Sequence, residues 1–446
     1  MANDVRAAVE RVLPGVREDL EHLVRIPSVS ADPTAAGHVR ASAEAVAALL
    51  RGCDMEDVQI LEVEGGAPAV VARKSAPPGK PTVLLYGHHD VQPTGDPAEW
   101  TSPPFEPVER EGRLYGRGAA DDKAGVMAHV AALRAFGNNP PVGVTVFVEG
   151  EEELGSPALG PFLSRYRDLL IADVIVLADS GNWDLGVPAL TTSLRGLIDC
   201  LVEVQVLDHP VHSGMYGGVV MDALTALCRL LATLHDDDGT VAISGLASGS
   251  AAPLDLPEER LRAEAGILDG VRLIGTGPLV DRLWAKPAAT VLAIDTTRIA
   301  DASNTLLATA KAKVSVRLAP GDDAKSAMDR LVEHLTAHAP FGARVTVTPI
   351  SYGEPFKIDA RGPRYDAARA AFQEAWGREP VDMGVGGTIP FVAEFAEAFP
   401  EAAILVTGVE DPDSRAHGFD ESLHLDEYSK ACLAEALMLE KLANLS

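Results

Sequence analysis

Cysteine is scarce in this sequence, and so is positive charge. The four cysteines, Cys53, Cys200, Cys228 and Cys432, lie far apart and form no C-x-x-C pair, which excludes a disulfide framework and a cysteine-built zinc site. Lysine and arginine number 38 against 65 aspartates and glutamates, a formal charge of -27. A surface of that sign repels nucleic acid and anionic membrane, so neither is expected as a partner. No stretch reaches the roughly 18 uninterrupted apolar residues of a membrane span. The opening residues "MANDVRAAVERVLPGVREDLEHLV" carry acids throughout, without the basic start and apolar run of a secretory signal, and a cytoplasmic protein is expected. A G-x-S-x-G elbow is also missing, which argues against a serine hydrolase.

What is present is enough chain for two domains: 446 residues, 47% of them hydrophobic. Residues 4–24 read as a helix, and "PAVVAR", "PTVLLY", "GVTVFVEG" and "DVIVLAD" read as buried strands, with a helix at 123–136 among them. Strands interleaved with helices predict an α/β layer structure with a mainly parallel sheet. After Asp179 the pattern changes. "LIDCLVEVQV" sets Val202, Val204 and Val206 against Glu203 and Gln205, the alternation of a half-exposed strand. Val220, Ala223, Leu224, Leu227, Leu230, Leu231 and Leu234 follow at helical spacing. An irregular segment begins at 239–254. Then come "KAKVSVRLAPG", a helix marked by Met328, Leu331, Val332 and Leu335, and the run "RVTVTP". From about residue 352 the first character returns, with a helix at 363–377, the turn "GVGGTIP", the strand "AAILVTG" and a helix from about 425. The expected fold is a split α/β domain, 1–192 and 352–446, with a small α/β sandwich of residues 193–351 inserted into it.

The buried strands end in acids and histidines. His88, His89 and Asp90 follow "TVLLYG"; Glu151, Glu152 and Glu153 follow "GVTVFVEG"; Asp179 closes "DVIVLAD"; His417 lies beyond "AAILVTG". Parallel strands deliver their carboxyl ends to one sheet edge, so these groups can converge. Histidine with several carboxylates suits zinc, manganese or cobalt. Two ions close together need a shared anionic ligand, which Asp121 or Asp122 of "GRGAADDKAG" can supply. Of the histidine pair, His88 shares a face with Asp90, whereas His89 points away.

Taken together, "YGHHDVQP", "GRGAADDKAG", "FVEGEEELGS", "LADSGNWDLG", "VHSGMYGG", "GGTIP" and "AHGFDE" resemble, in order and over nearly the whole chain, the M20 dinuclear zinc peptidases. The resemblance is strongest to the cytosolic non-specific dipeptidase and carnosinase subgroup. It implies a catalytic domain and an inserted lid and dimerisation domain. It implies that His88 and Asp179 hold one divalent ion and Glu153 and His417 the other, with Asp121 bridging and a cis peptide after it. Zinc is the expected metal, with manganese or cobalt as alternatives. Asp90 then supports His88 by accepting a hydrogen bond from its second ring nitrogen. The implied reaction is hydrolysis of short peptides, dipeptides with a free C-terminal carboxylate first, by a hydroxide bridging the two ions, with Glu152 as general base and acid.

By the same resemblance His212 reaches the oxyanion in the partner subunit of a homodimer built through the inserted domain. Arg317 grips the substrate carboxylate, with Asn304 as a companion and Gly386, Gly387 and Thr388 lining that end. Two departures touch specificity: Val385 stands where many relatives carry a glutamate, and "SYGEPF" lacks a histidine found in close relatives, leaving Ser351 or Tyr352. An N-acyl-amino-acid deacylase or a carboxypeptidase of the same family would share metals, base and clamp. A non-catalytic binding protein on this scaffold is disfavoured because Glu152 is present.

Overall fold

The computed structural model describes residues 2–387 and 390–445 and divides into two compact units. The first comprises Met1–Thr192, Ile358–Met383 and Pro390–Ser446; the second comprises Ser193–Lys357 and Gly384–Ile389. The second runs six residues beyond the expected boundary at 351, because the strand Arg344–Gly353 continues through it.

In the first unit the sheet runs in the order Asp57–Leu61, Ala69–Lys74, Gly143–Glu149, Thr82–His88, Val174–Leu177, Ala403–Val406, Ala189–Leu194. The four central strands are parallel, with Tyr86 opposite Phe147 on one side and Leu177 on the other. The outer pairs are antiparallel, which the continuous apolar run "PAVVAR" did not distinguish. Parallel strands covered on both faces carry Val, Leu and Ile at every position, and Val83–Leu85 and Val174–Leu177 are fully buried. Each such side chain contributes about 1.5–3 kcal/mol on leaving water.

Helices Ala2–Val24, Lys123–Ala135 and Leu425–Ala443 cover the sheet through Val9, Leu20, Met127, Val130, Leu437 and Leu439. Because the central strands are parallel, their last residues lie along one edge. There the chain emerges at His88, Glu149, Leu177 and Val406. No described helix is long and apolar enough to cross a membrane.

The second unit carries an antiparallel sheet ordered Ala288–Asp295, Thr309–Leu318, Gly196–Gln205, Arg344–Gly353. Ile198, Cys200, Val202 and Val204 face inward with Val314, Val316 and Leu318, packed with helices Ala223–Ala232 and Ala324–Ala337. The other face is polar and ion-paired: Lys311 to Glu203 at 2.7 Å, Lys313 to Asp199 at 3.4 Å. Val220 and Leu234 fall outside the first of these helices. Its start is fixed by Asp222, whose carboxylate accepts from the Leu224 and Thr225 backbone N–H groups.

Candidate metal centre

His88 closes its strand with the ring fully buried, and its Nε2 lies 3.1 Å from Asp121 Oδ1, 3.9 Å from Asp179 Oδ2 and 4.0 Å from Glu152 Oε2. On the other side, His417 Nε2 lies 3.0 Å from Asp121 Oδ2 and 3.2 Å from Glu153 Oε2. Asp121 thus divides its two oxygens between two histidines, each of which has a further carboxylate beside it. The peptide after Asp121 is cis. His417 reaches this position with φ at +62°, a left-handed conformation that non-glycine residues seldom adopt.

Charge explains why such a cluster wants a cation. Burial pushes the Asp179 carboxyl up to about 7, and burial with the Asp179 charge raises Glu152 well above the usual carboxylate range. Burial opposes ionisation of Asp121 too, but hydrogen bonds from His417 and His88 hold it well below that range. Those to Asp121 and Glu153 push His417 up to about 11. Burial works against a charge on His88, yet hydrogen bonds to Asp121 and Asp90 raise it well above its ordinary value. Among the described residues no lysine or arginine is ion-paired with Asp121, Glu152, Glu153 or Asp179. A nitrogen and oxygen donor set balanced only by protons fits divalent cations, which displace those protons on binding.

A sequence model of peptidase family M20/M25/M40 matches residues 84–441. The chain belongs to that family. This M20 metallopeptidase is 38% identical over 382 residues to the cysteinylglycine-S-conjugate dipeptidase of Corynebacterium striatum, covering 84% of each chain. It is 30% identical over 403 residues to the β-Ala-His dipeptidase of Rattus norvegicus, covering 84% of this chain and 80% of that one. The solved structure of human carnosine dipeptidase 1 superposes with a TM-score of 0.82 at 24% identity, covering 100% of this chain and 99% of the other. The family, the α/β fold and the dipeptidase subgroup are therefore those the motifs implied.

Around the M20 centre the structure refines two expectations. Asp90 supports His88 chiefly through its backbone carbonyl, 3.1 Å from Nδ1, with carboxylate Oδ1 at 3.4 Å. The Asp90 carboxylate instead accepts from the backbone N–H groups of Glu152 at 3.2 Å and Glu153 at 3.1 Å, fixing the short turn that presents both acids. Glu151, the third glutamate, is turned away and accepts from Ala67 and Ala158 backbone N–H.

His89, which points away from the face of His88 and Asp90, is a structural pin. Its buried ring lies 2.9 Å from the Pro68 carbonyl, and Ser28 Oγ donates to the His89 carbonyl at 2.7 Å, so the segment around Ser28 anchors this strand end. Burial lowers its pKa to about 4. The unfolded chain then binds a proton that the folded one refuses between pH 6.5 and 4, so stability falls as pH falls through that window, by on the order of 3 kcal/mol. In the metal-free protein, His89→Leu should cost about 1 kcal/mol at pH 7 from the lost hydrogen bond and then lose less stability than wild type on acidification. Urea unfolding at pH 7 and 4.5 checks this; parallel losses in the two proteins would contradict it.

Glu421, the last residue of "AHGFDE", supports the site from below. Fully buried, it accepts from Arg117 Nη1 at 2.6 Å and from the backbone N–H groups of Gly118, Ala120 and Asp121 at 3.0–3.1 Å. It is the cradle of the loop that carries Asp121. Breaking a buried pair of this kind leaves an uncompensated charge, at a cost of about 3–5 kcal/mol.

The remaining expected residues lie in the second unit. His212 pairs with Thr305 across two short strands, and Ser213 N donates to the Asn304 carbonyl at 2.9 Å, so His212 and Asn304 are neighbours. The His212 ring is exposed and accepts from Gly214 N at 3.0 Å, capping a short helical turn. Arg195 donates from Nε to the Gly386 carbonyl at 3.1 Å. Burial and the adjacent Arg317 charge lower the Arg195 pKa to about 10, so the two guanidinium groups and the Gly386 loop share one niche. Thr388 lies outside the described residues.

Proposed function

We propose that this M20 peptidase hydrolyses dipeptides with a free C-terminal carboxylate, using two divalent ions held by His88 and Asp179, by Glu153 and His417, and by Asp121 between them. Bound there, the ions, zinc first and manganese or cobalt as alternatives, would polarise the scissile carbonyl and lower the pKa of water. Glu152 takes the proton from the attacking water and returns it to the departing amine nitrogen. A carboxyl raised toward neutrality by its surroundings suits both transfers. Asp90 keeps Glu152 and Glu153 aimed by holding their backbone N–H groups.

Arg317, with Arg195 and the Gly386–Gly387 loop beside it, is the receiver for the substrate carboxylate, where a planar guanidinium forms a two-point bond. Asn304 stays with His212. That ring donates to the oxyanion in the partner's site of a homodimer formed through the second unit. Its supports are the exposed His212 ring, the exposed apolar Met215 and Val219 beside it, and the edge strand Ala288–Asp295 with Leu292 53% exposed.

The observation that carries the reading is the division of the Asp121 oxygens between His88 and His417 with Glu152 alongside. The two relatives named above act, by their names, on a Cys-Gly conjugate and on β-Ala-His. The test is a panel of Cys-Gly, an S-substituted Cys-Gly, β-Ala-His, their N-acetyl forms and tripeptides, on protein loaded with zinc, manganese or cobalt. Free dipeptides should be hydrolysed at least tenfold faster than the acetylated or longer forms. Preference for N-acetylated substrates would replace this reading with a deacylase, and preference for the longer peptides with a carboxypeptidase.

A further inference from the structure

Past its last strand residue, Val406, the chain continues beside the segment that carries Asp179. Thr407 N donates to the Leu177 carbonyl at 2.8 Å, Asn182 N donates to the Glu410 carbonyl at 2.8 Å, and Gly181 forms a parallel bridge with Glu410. A Cβ built on Gly181 would lie 3.5 Å from the Glu410 Cβ, so this glycine leaves open the space next to the Glu410 side chain. Glu410 is half-buried there, and the charges of Asp121, Asp179 and His417 are near enough to act on it.

Several other buried acids of this unit have structural work. Asp90 holds the Glu152–Glu153 turn, Glu151 holds Ala67 and Ala158, Glu421 pairs with Arg117, and Asp411, the next residue, pairs with Arg113 at 2.9 Å. The Glu410 carboxylate has no hydrogen-bond or ion-pair partner among the described residues. It belongs neither to the donor groups around His88 nor to those around His417. A carboxylate set among other carboxylates without a partner costs free energy unless a cation comes to it.

The substrate supplies that cation. In an α-amino-acid dipeptide the ammonium nitrogen is two bonds from the scissile carbonyl carbon, about 2.5 Å away from standard bond lengths, and in β-Ala-His it is one bond further. A group that reads it must therefore stand at the rim of the centre that holds the carbonyl. We propose that the Glu410 carboxylate receives the free amino group of the substrate. A charged hydrogen bond there favours dipeptides, and an acylated nitrogen, which has no charge to offer, leaves Glu410 unpaired and is rejected. Val385 presents no charge for this task, and Glu410 provides one.

This inference rests on the dipeptidase reading, and one comparison separates the two. The ratio of kcat/KM for a dipeptide to that for its desamino analogue, in which hydrogen replaces the ammonium, is measured for wild type, Glu410→Gln and Glu410→Asp, with bound metal determined for each. Glu410→Gln should lower the ratio about 10- to 100-fold, chiefly through KM, with its metal content unchanged, and Glu410→Asp should recover part of it. An unchanged ratio in a wild type that prefers the free dipeptide overturns the role of Glu410 alone. Loss of metal in Glu410→Gln overturns it as well. A wild type that prefers the desamino or acylated substrate overturns the dipeptidase reading and this inference with it.

Discussion

Glu152→Gln should lower kcat by about 100- to 10,000-fold while leaving bound metal and substrate KM close to wild type. The lower bound and the upper bound are those of general acid–base catalysis lost at a single group. Gln keeps the shape of the side chain and the backbone N–H bond to Asp90, so the turn that also presents Glu153 stays in place. The change removes a proton acceptor and little else. Glu152 Oε2 stands 4.0 Å from His88 Nε2 at the margin of the cluster, whereas Glu153 is in direct contact with His417. Elemental analysis beside steady-state kinetics checks the prediction. Retained turnover would remove Glu152 from the mechanism, and coordinate loss of metal would make it a ligand instead.

Asp121→Ala should abolish hydrolysis and metal binding together. Among the described residues this carboxylate alone touches both histidines, and its backbone N–H is fixed by the Glu421 cradle. Loss of an outer-shell partner typically costs 10- to 100-fold in metal affinity, and loss of a ligand shared by two ions should cost more than that at each. Asp179 and Glu153, left without the intervening charge, each retain a single histidine. His88→Ala should behave in the same direction, while His89→Leu keeps activity. Dialysis against zinc followed by metal analysis distinguishes these variants; an Asp121→Ala protein that still held two ions would refute the bridging role.

Much of this was legible in the sequence, for physical reasons that differ from element to element. The central strands announced themselves as continuous Val, Leu and Ile runs, and the helix Ala324–Ala337 by apolar residues at helical spacing. The convergence of His88, Asp121, Glu152, Glu153 and Asp179 was legible because parallel strands put their last residues on one edge. The strand Ala288–Asp295 was not. Its residues 290–295 are all exposed, so "TVLAID" lacks the alternation that a covered face imposes. The hairpin of Val108–Arg110 and Arg113–Tyr115 was hidden by its shortness.

Glu421 and the carboxylate of Asp90 act on backbone N–H groups, which carry no side-chain signature, so no motif spacing could reveal what they hold. Glu410 escaped for a related reason: one acid in "GVEDPD" is unremarkable until the backbone places it against Gly181. The left-handed His417 likewise belongs to a loop whose path follows from its contacts rather than from local preference.

The claim on which the rest depends is that one chain holds two ions through a shared Asp121. Titrating the metal-free protein with zinc, and following bound metal and dipeptide hydrolysis in the same samples, tests it most directly. The account predicts saturation at two ions per chain, with full activity reached only when both are bound. Saturation at one ion, or hydrolysis undiminished in the chelated protein, would contradict it.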